Sequence, residues 1–135
     1  MATTTAQLIL TSTDLLSDSL SLSAIATLTG AGNSTGLTST GGLARKTTTS
    51  ASQYTLFASA SYTDDKAHKI YLKNMESSAS LYFLISVNAV EVGRIYAGDW
   101  AFIPWSADTT ETANDFKITP SSSASHTLEY MIIHE

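Results

Sequence analysis

The side chains able to move a proton or hold an ion are few and scattered. They are His68, His126 and His134, the adjacent pair Asp64 and Asp65, and three acidic loop residues, Asp108, Glu111 and Asp115. A histidine near neutral pH can act as a general base or a metal ligand. None of the three lies near another histidine in the chain or in a metal-ligand spacing, so a structural role is expected for each. Extended neighbours point to opposite faces, so Asp64 and Asp65 make a poor acid–base pair unless a turn folds them together. They read as a solvated turn. Asp108, Glu111 and Asp115 could offer oxygens to calcium, which takes about six to eight, but the EF-hand spacing is missing. Serine is plentiful, yet there is no G-x-S-x-G elbow with a matching His and Asp order. There is no P-loop and no G-x-G-x-x-G. The chain therefore reads as a non-enzyme, with no catalytic residue, no cofactor and no metal expected.

The elements that must position any site are strands. Val90 to Trp105 (VEVGRIYAGDWAFIPW) is the most apolar and aromatic stretch. Val90 and Val92 alternate with Glu91, which predicts one buried face. The alternation breaks at Gly93, the mark of a bulge, and Gly93→Val is expected to cost stability if the backbone there is special. Gly98-Asp99 fits a two-residue hairpin loop of type II′. In the return strand Trp100, Phe102 and Pro104 share one face, and Ala101, Ile103 and Trp105 the other. Both faces are apolar, so cover on both sides is expected, with Trp100 and Phe102 in the inter-sheet core. Pro104 lacks an N–H and belongs at a strand end or a sheet edge. Trp105 begins the exit loop, where its ring could be core or an exposed platform for stacking on sugars.

A chain of 135 residues suits one domain with a real core. Only 14% of its residues are charged, well below the usual share, and serine and threonine together make up about 30%. Threonine fits strands and serine fits turns, which favours an all-β fold. The formal net charge of −5 disfavours nucleic acid and anionic membrane as partners. Without cysteine there is neither a disulfide framework nor a thiolate metal site. The N-terminus lacks the basic start and long apolar core of a signal peptide, and no run is long enough for a membrane helix. Synthesis and use in a cytoplasm, or release by lysis, is the expectation.

Taken in order, residues 1–6 read as a flexible arm and Gln7 to Thr11 as a first strand, with one helical turn possible over Thr13 to Asp18. Ser19 to Thr29 alternates regularly and predicts a half-buried strand with Leu20, Leu22, Ala24, Ala26 and Leu28 inward. Residues 1–18 are thus set apart as arm and first strand, and 19–135 as a single sandwich domain. Gly30 to Gly42 holds five of the seven glycines and reads as a long loop, followed by the basic pair Arg45 and Lys46, a solvated shoulder or a contact to an acidic partner. Further strands are expected over Gln53 to Thr63, His68 to Asn74, Leu81 to Val87, Asp115 to Thr119 and His126 to His134. Eight or nine short strands with no convincing helix predict a two-sheet antiparallel sandwich, with jelly roll as the leading topology. Periodicity leaves an immunoglobulin-like sandwich open.

The second half, from about Lys66 onward, resembles small virion proteins of tailed bacteriophages. The resemblance lies in HKIYLKN (His68 to Asn74), VEVGRIYAGDWAFIPW (Val90 to Trp105), DFKITP (Asp115 to Pro120) and LEYMIIHE (Leu128 to Glu135). It implies a structural β-sandwich, foremost a capsid decoration (cement) protein. Such a protein would be made in the host cytoplasm and carried on the capsid surface of the virion. Its partners would be the major capsid protein and further copies of itself, commonly a homotrimer. No catalytic residue comes with the resemblance. Residues 1–13 and 30–46 are the expected contact segments, through Thr3, Thr5, Gln7, Asn33, Leu37, Arg45 and Lys46, with Trp105 added from the exit loop. A phage tail adaptor, fibre or baseplate component is one alternative. A carbohydrate-binding module using Trp105 and the acidic loop at 108–115 is another.

Overall fold

Hydroxylated and apolar residues alternate in stretches such as Ser19 to Thr29, and the computed structural model, which describes residues 3–15, 17–109 and 114–135, is built of strands. They are β1 (Thr5–Ser12), β2 (Leu20–Thr27), β3 (Ser39–Thr40), β4 (Ala44–Thr48), β5 (Tyr54–Phe57), β6 (His68–Asn74), β7 (Phe83–Val87), β8 (Val90–Ile95), β9 (Trp100–Trp105), β10 (Phe116–Pro120) and β11 (His126–His134). One antiparallel sheet has the order β5-β10-β7-β8. The other runs β3-β11-β6-β9, with β4 also paired to β11. The two sheets form an all-β sandwich, and every step from β4 to β11 except β7–β8 crosses from one sheet to the other. This order is compatible with a jelly roll.

The core lies between the sheets. Ile70, Leu72, Leu128 and Ile132 from one sheet meet Phe83, Ile85, Phe116 and Ile118 from the other, and all are buried. Their alternation along β6 and β10 is the period-2 pattern of strands with one face inward, whereas β11 also buries Glu129 and Ile133 on its other face. Phe57 joins the core and packs edge-on to Tyr130, with ring centroids 5.9 Å apart. The strand expected over Gln53 to Thr63 stops at Phe57 and gives way to a 3-10 turn at Ser59–Ser61. There Asp115 captures the Ser59 N–H at 3.0 Å and the Ser59 hydroxyl at 3.2 Å, and Ser59 itself is buried.

Val90 to Trp105 is not a hairpin. β8 pairs with β7 and β9 pairs with β6, so the connection between them crosses the sandwich. Its turn places the Asp99 N–H on the Tyr96 carbonyl at 2.9 Å, with Gly98 at φ 80°, the third-position geometry of a type II turn rather than II′. The fully buried Asn74 fixes the crossing. Its amide donates to the carbonyls of Leu81 (2.9 Å) and Ile95 (3.2 Å). The Asn74 N–H donates to the Asp99 carbonyl, and the Gly98 N–H to that of Asn74. The tight hairpin is instead β7–β8, turned at Asn88-Ala89 with Asn88 at φ 55°.

The bulge is present: Ile85 faces Gly93 while Ser86 faces Glu91, leaving Val92 as the extra residue. Gly93 has no positive φ, and a methyl there meets nothing within 4 Å, so the cost expected of Gly93→Val has no backbone cause. Val90 and Val92 are exposed rather than buried. Pro104 sits on the edge strand β9, as its missing N–H requires. The face assignment in β9 is reversed from expectation. Ala101, Ile103 and Trp105 point into the core, while Trp100 is 55% exposed. Pairing gives the reason. Trp100, Phe102 and Pro104 stand opposite Lys73, Tyr71 and Lys69, so they share the outer face of β6.

The N-terminal segment forms a third, two-stranded sheet. β1 pairs with β2 along its whole length, Thr5 facing Thr27 through to Ser12 facing Leu20. Thr5 and Ala6 are thus strand rather than arm, and a boundary at residue 18 falls in the hairpin's tip. The described residues there are bends: Ser12 accepts the Leu15 N–H at 3.0 Å. The base of the hairpin is anchored by Leu28, which packs with Leu37 and Ile133 in a second small core. The C-terminal Glu135 side chain closes over this base. Its carboxylate accepts the N–H groups of Ala31 and Ala67, each at 3.2 Å. Gly30 passes so close that any side chain there would run into the Glu135 carboxylate.

Candidate interaction surface

The chemistry-bearing residues are spread through the fold. His126 is fully buried; its ring holds the Ala124 carbonyl at 2.7 Å and the Ser121 hydroxyl at 3.0 Å, across a corner of the chain. His68 and His134 stack at 5.9 Å beside Tyr62 and Trp105. Burial holds the His68 ring below the usual imidazole range, and the neighbouring His134 acts in the same sense while Glu135 opposes it. Asp64 accepts the Thr109 hydroxyl at 2.7 Å, and Asp65 turns the chain at φ 59°. Asp115 is occupied by Ser59, with Lys117 at 4.0 Å. Glu111 lies outside the described residues. Among the described residues no three His, Asp or Glu side chains come together as a metal site.

The expected contact residues divide. Thr3, Thr5, Gln7 and Asn33 are exposed. Asn33 is partly spent on its own loop, accepting the Thr35 N–H at 2.9 Å. Arg45 grips Glu129 at 2.8 Å and holds its carboxyl below the ordinary carboxylate range; Tyr71 donates to the same carboxylate. Lys46 lies over the Tyr54 ring, 4.2 Å from its centroid. The basic pair makes these contacts within the sandwich while both residues remain exposed on its edge. Leu37 (1% exposed) and Trp105 (7% exposed) are corrections: both are core and present almost no surface to a partner. The Trp105 N–H donates to the Asn114 carbonyl at 2.8 Å, and its ring packs on His68 and Phe57. A sugar platform at Trp105 is overturned by that burial.

What stands open is the hairpin. Residues paired across β1 and β2 share a face, so Ala6, Leu8 and Leu10 line up with Ala26, Ala24 and Leu22. Leu20 extends this stripe toward the tip and the buried Leu28 ends it at the base. The sequence predicts this inward face correctly as apolar, but not its exposure. Leu8, Leu10 and Leu22 are each about 40% exposed or more, and Ile9 and Ile25 on the other face are 61% and 68% exposed. The pattern of alternation records which residues share a face; it does not record whether another layer covers them.

Between this stripe and the outer face of β6 and β9 lies an open cleft of about 540 Å³. Leu8, Ala24 and Ala26 form one wall; Tyr71, Trp100 and Phe102 form the other. Among the described residues that line it, Lys69 is the one that carries charge. Such an arrangement offers apolar contact and backbone edges rather than bond chemistry. Among the described residues no helix is long and apolar enough to cross a membrane. No protein-family model, curated protein or solved structure matches this chain.

Proposed function

We propose that this protein is a structural component of a virion, a decoration protein that binds and stabilises the assembled head of a tailed bacteriophage. The observation that carries the reading is the apolar hairpin held out from a closed sandwich. Five large aliphatic side chains of its two strands, Leu8, Ile9, Leu10, Leu22 and Ile25, are exposed, as is Leu15 at the tip. Fully burying one such side chain contributes about 1.5–3 kcal/mol. Docking the hairpin on a shell therefore gives several kcal/mol per copy before ordering costs, and copies joined to one another add avidity. Binding the assembled lattice in preference to free subunits stabilises the lattice by mass action. The partners are the major capsid protein and further copies of this chain in a homotrimer. The protein is made in the host cytoplasm and resides on the capsid surface. The apolar stripe and cleft replace Leu37 and Trp105 as the contact residues, while Thr3, Thr5 and Gln7 flank them.

Immunogold labelling of particles from the source lysate, with an antibody against this chain, tests the reading. Gold over whole heads is expected. Gold confined to one vertex or along a tail would move the protein to the tail, and unlabelled particles would remove it from the virion.

A further inference from the structure

Three of the four sheet edges of the sandwich carry devices against pairing with other chains, and the fourth, β5, is only four residues long. β9 carries Pro104; β8 has the bulge at Val92 and the paired charges Glu91 and Arg94, 3.2 Å apart. On the far edge β4 carries Arg45 and Lys46, and β3 is only two residues long. The hairpin has none of these devices. β1 and β2 are eight residues each, in unbroken register, with no charge, no proline and no bulge. Among the described residues no strand lies beside their outer edges. The only charges in the first 44 residues are Asp14 and Asp18, both at the tip.

We infer that the free edge of this hairpin pairs with the hairpin of a second copy of the chain, continuing the two-stranded sheet across the interface. Charge selects this occupant. Two copies, each of net charge −5, repel one another at most approaches. The hairpin is a long uncharged surface on which two acidic bodies can meet without placing like charges opposite. Pattern points the same way. Both strands alternate Leu and Ala with Ser, Thr or Gln over most of their length, so hairpins laid edge to edge continue one apolar face and one largely hydroxylated face. Stability does too: a two-stranded sheet is marginal in water, and added strands supply both ladder bonds and cross-strand contacts. The inference goes beyond the virion reading, since it holds for the free chain wherever the protein acts.

Light scattering on the full chain, read together with amide hydrogen exchange at high and low protein concentration, tests it. A mass that is a multiple of 14.3 kDa is expected, with β1 or β2 amides losing protection on dilution. The double variant Ile9→Lys, Ile25→Lys places a charge on each strand and should return the mass to 14.3 kDa with the far-UV spectrum unchanged. A 14.3 kDa mass for the unmodified chain would overturn the inference. So would hairpin protection that ignores dilution, which needs no variant to read. Head labelling is a separate measurement, so a monomer that still decorates heads overturns this pairing and the homotrimer but leaves head binding standing, and an oligomer absent from particles overturns the virion reading alone.

Discussion

The amide of Asn74, at the end of β6, donates to the carbonyl of Ile95, at the end of β8, across the two sheets at 3.2 Å. One side chain thereby ties the sheets at the point where the chain crosses between them. The same amide reaches Leu81, and the Asn74 backbone holds both Gly98 and Asp99. The central aromatic stretch is thus organised by a residue outside it.

Replacing Asn74 by Leu keeps similar volume but removes every side-chain bond. The Leu81 and Ile95 carbonyls then lose their donor inside the protein, and the Glu76 N–H loses the Asn74 side-chain oxygen as its acceptor at 3.0 Å. Leaving a buried polar group unsatisfied costs about 1–3 kcal/mol. Asn74→Leu is therefore expected to lose about 2–4 kcal/mol in urea unfolding. A loss below about 0.5 kcal/mol would mean that the crossing is held by packing alone.

The two tryptophans of β9 make a paired comparison. Trp105 is 7% exposed and donates to Asn114, whereas Trp100 is 55% exposed on the wall of the cleft. Trp105→Ala is expected to cost about 3–5 kcal/mol, in the range of buried aromatic truncations. Trp100→Ala should cost under about 1 kcal/mol, as an exposed site. Equal losses in chemical unfolding would contradict the assignment of faces.

These two residues also show where the sequence was legible and where it was not. Alternation in His68 to Asn74 gave both its bounds and its inward face, because Lys69, Tyr71 and Lys73 occupy the opposite parity; in His126 to His134 the opposite parity is polar only at Thr127 and Glu129, and Ile133 there is buried in the second core. β9 is apolar on both parities, so its own pattern is silent. Its facing is set by Lys69, Tyr71 and Lys73 on the neighbouring strand, and that pairing is a long-range fact. The turn at Gly98 was visible as a turn, yet a type II corner between sheets and a hairpin loop share the same glycine signal. Asn74 carried no local signal, since its partners at 81, 95 and 99 meet it only in the fold. Exposure of Leu8, Leu10 and Leu22 was likewise hidden, because an apolar stripe looks the same whether a layer of its own chain or another molecule covers it.

Acid should weaken the corner where the chain ends. His68 is buried in its neutral form, stacked on His134 against Tyr62 and Trp105, and its pKa is held below the usual value chiefly by burial. A lowered folded pKa means that the unfolded chain binds more protons once the pH falls below the ordinary histidine value. The contribution of His68 is thus complete above about pH 6.5 and is lost as the pH falls from there through the folded value. Glu135 adds a loss of the same sign at lower pH. Its carboxyl is held below the usual range first by the Ala67 N–H and also by that of Ala31, so protonation releases the loop at the base of the hairpin. Melting temperature is expected to fall between pH 7.5 and pH 5.5, with a further fall below about pH 4.5. His68→Phe keeps an aromatic ring among the same neighbours and should flatten the first fall while leaving the second. A first fall that survives His68→Phe unchanged would assign it to another group.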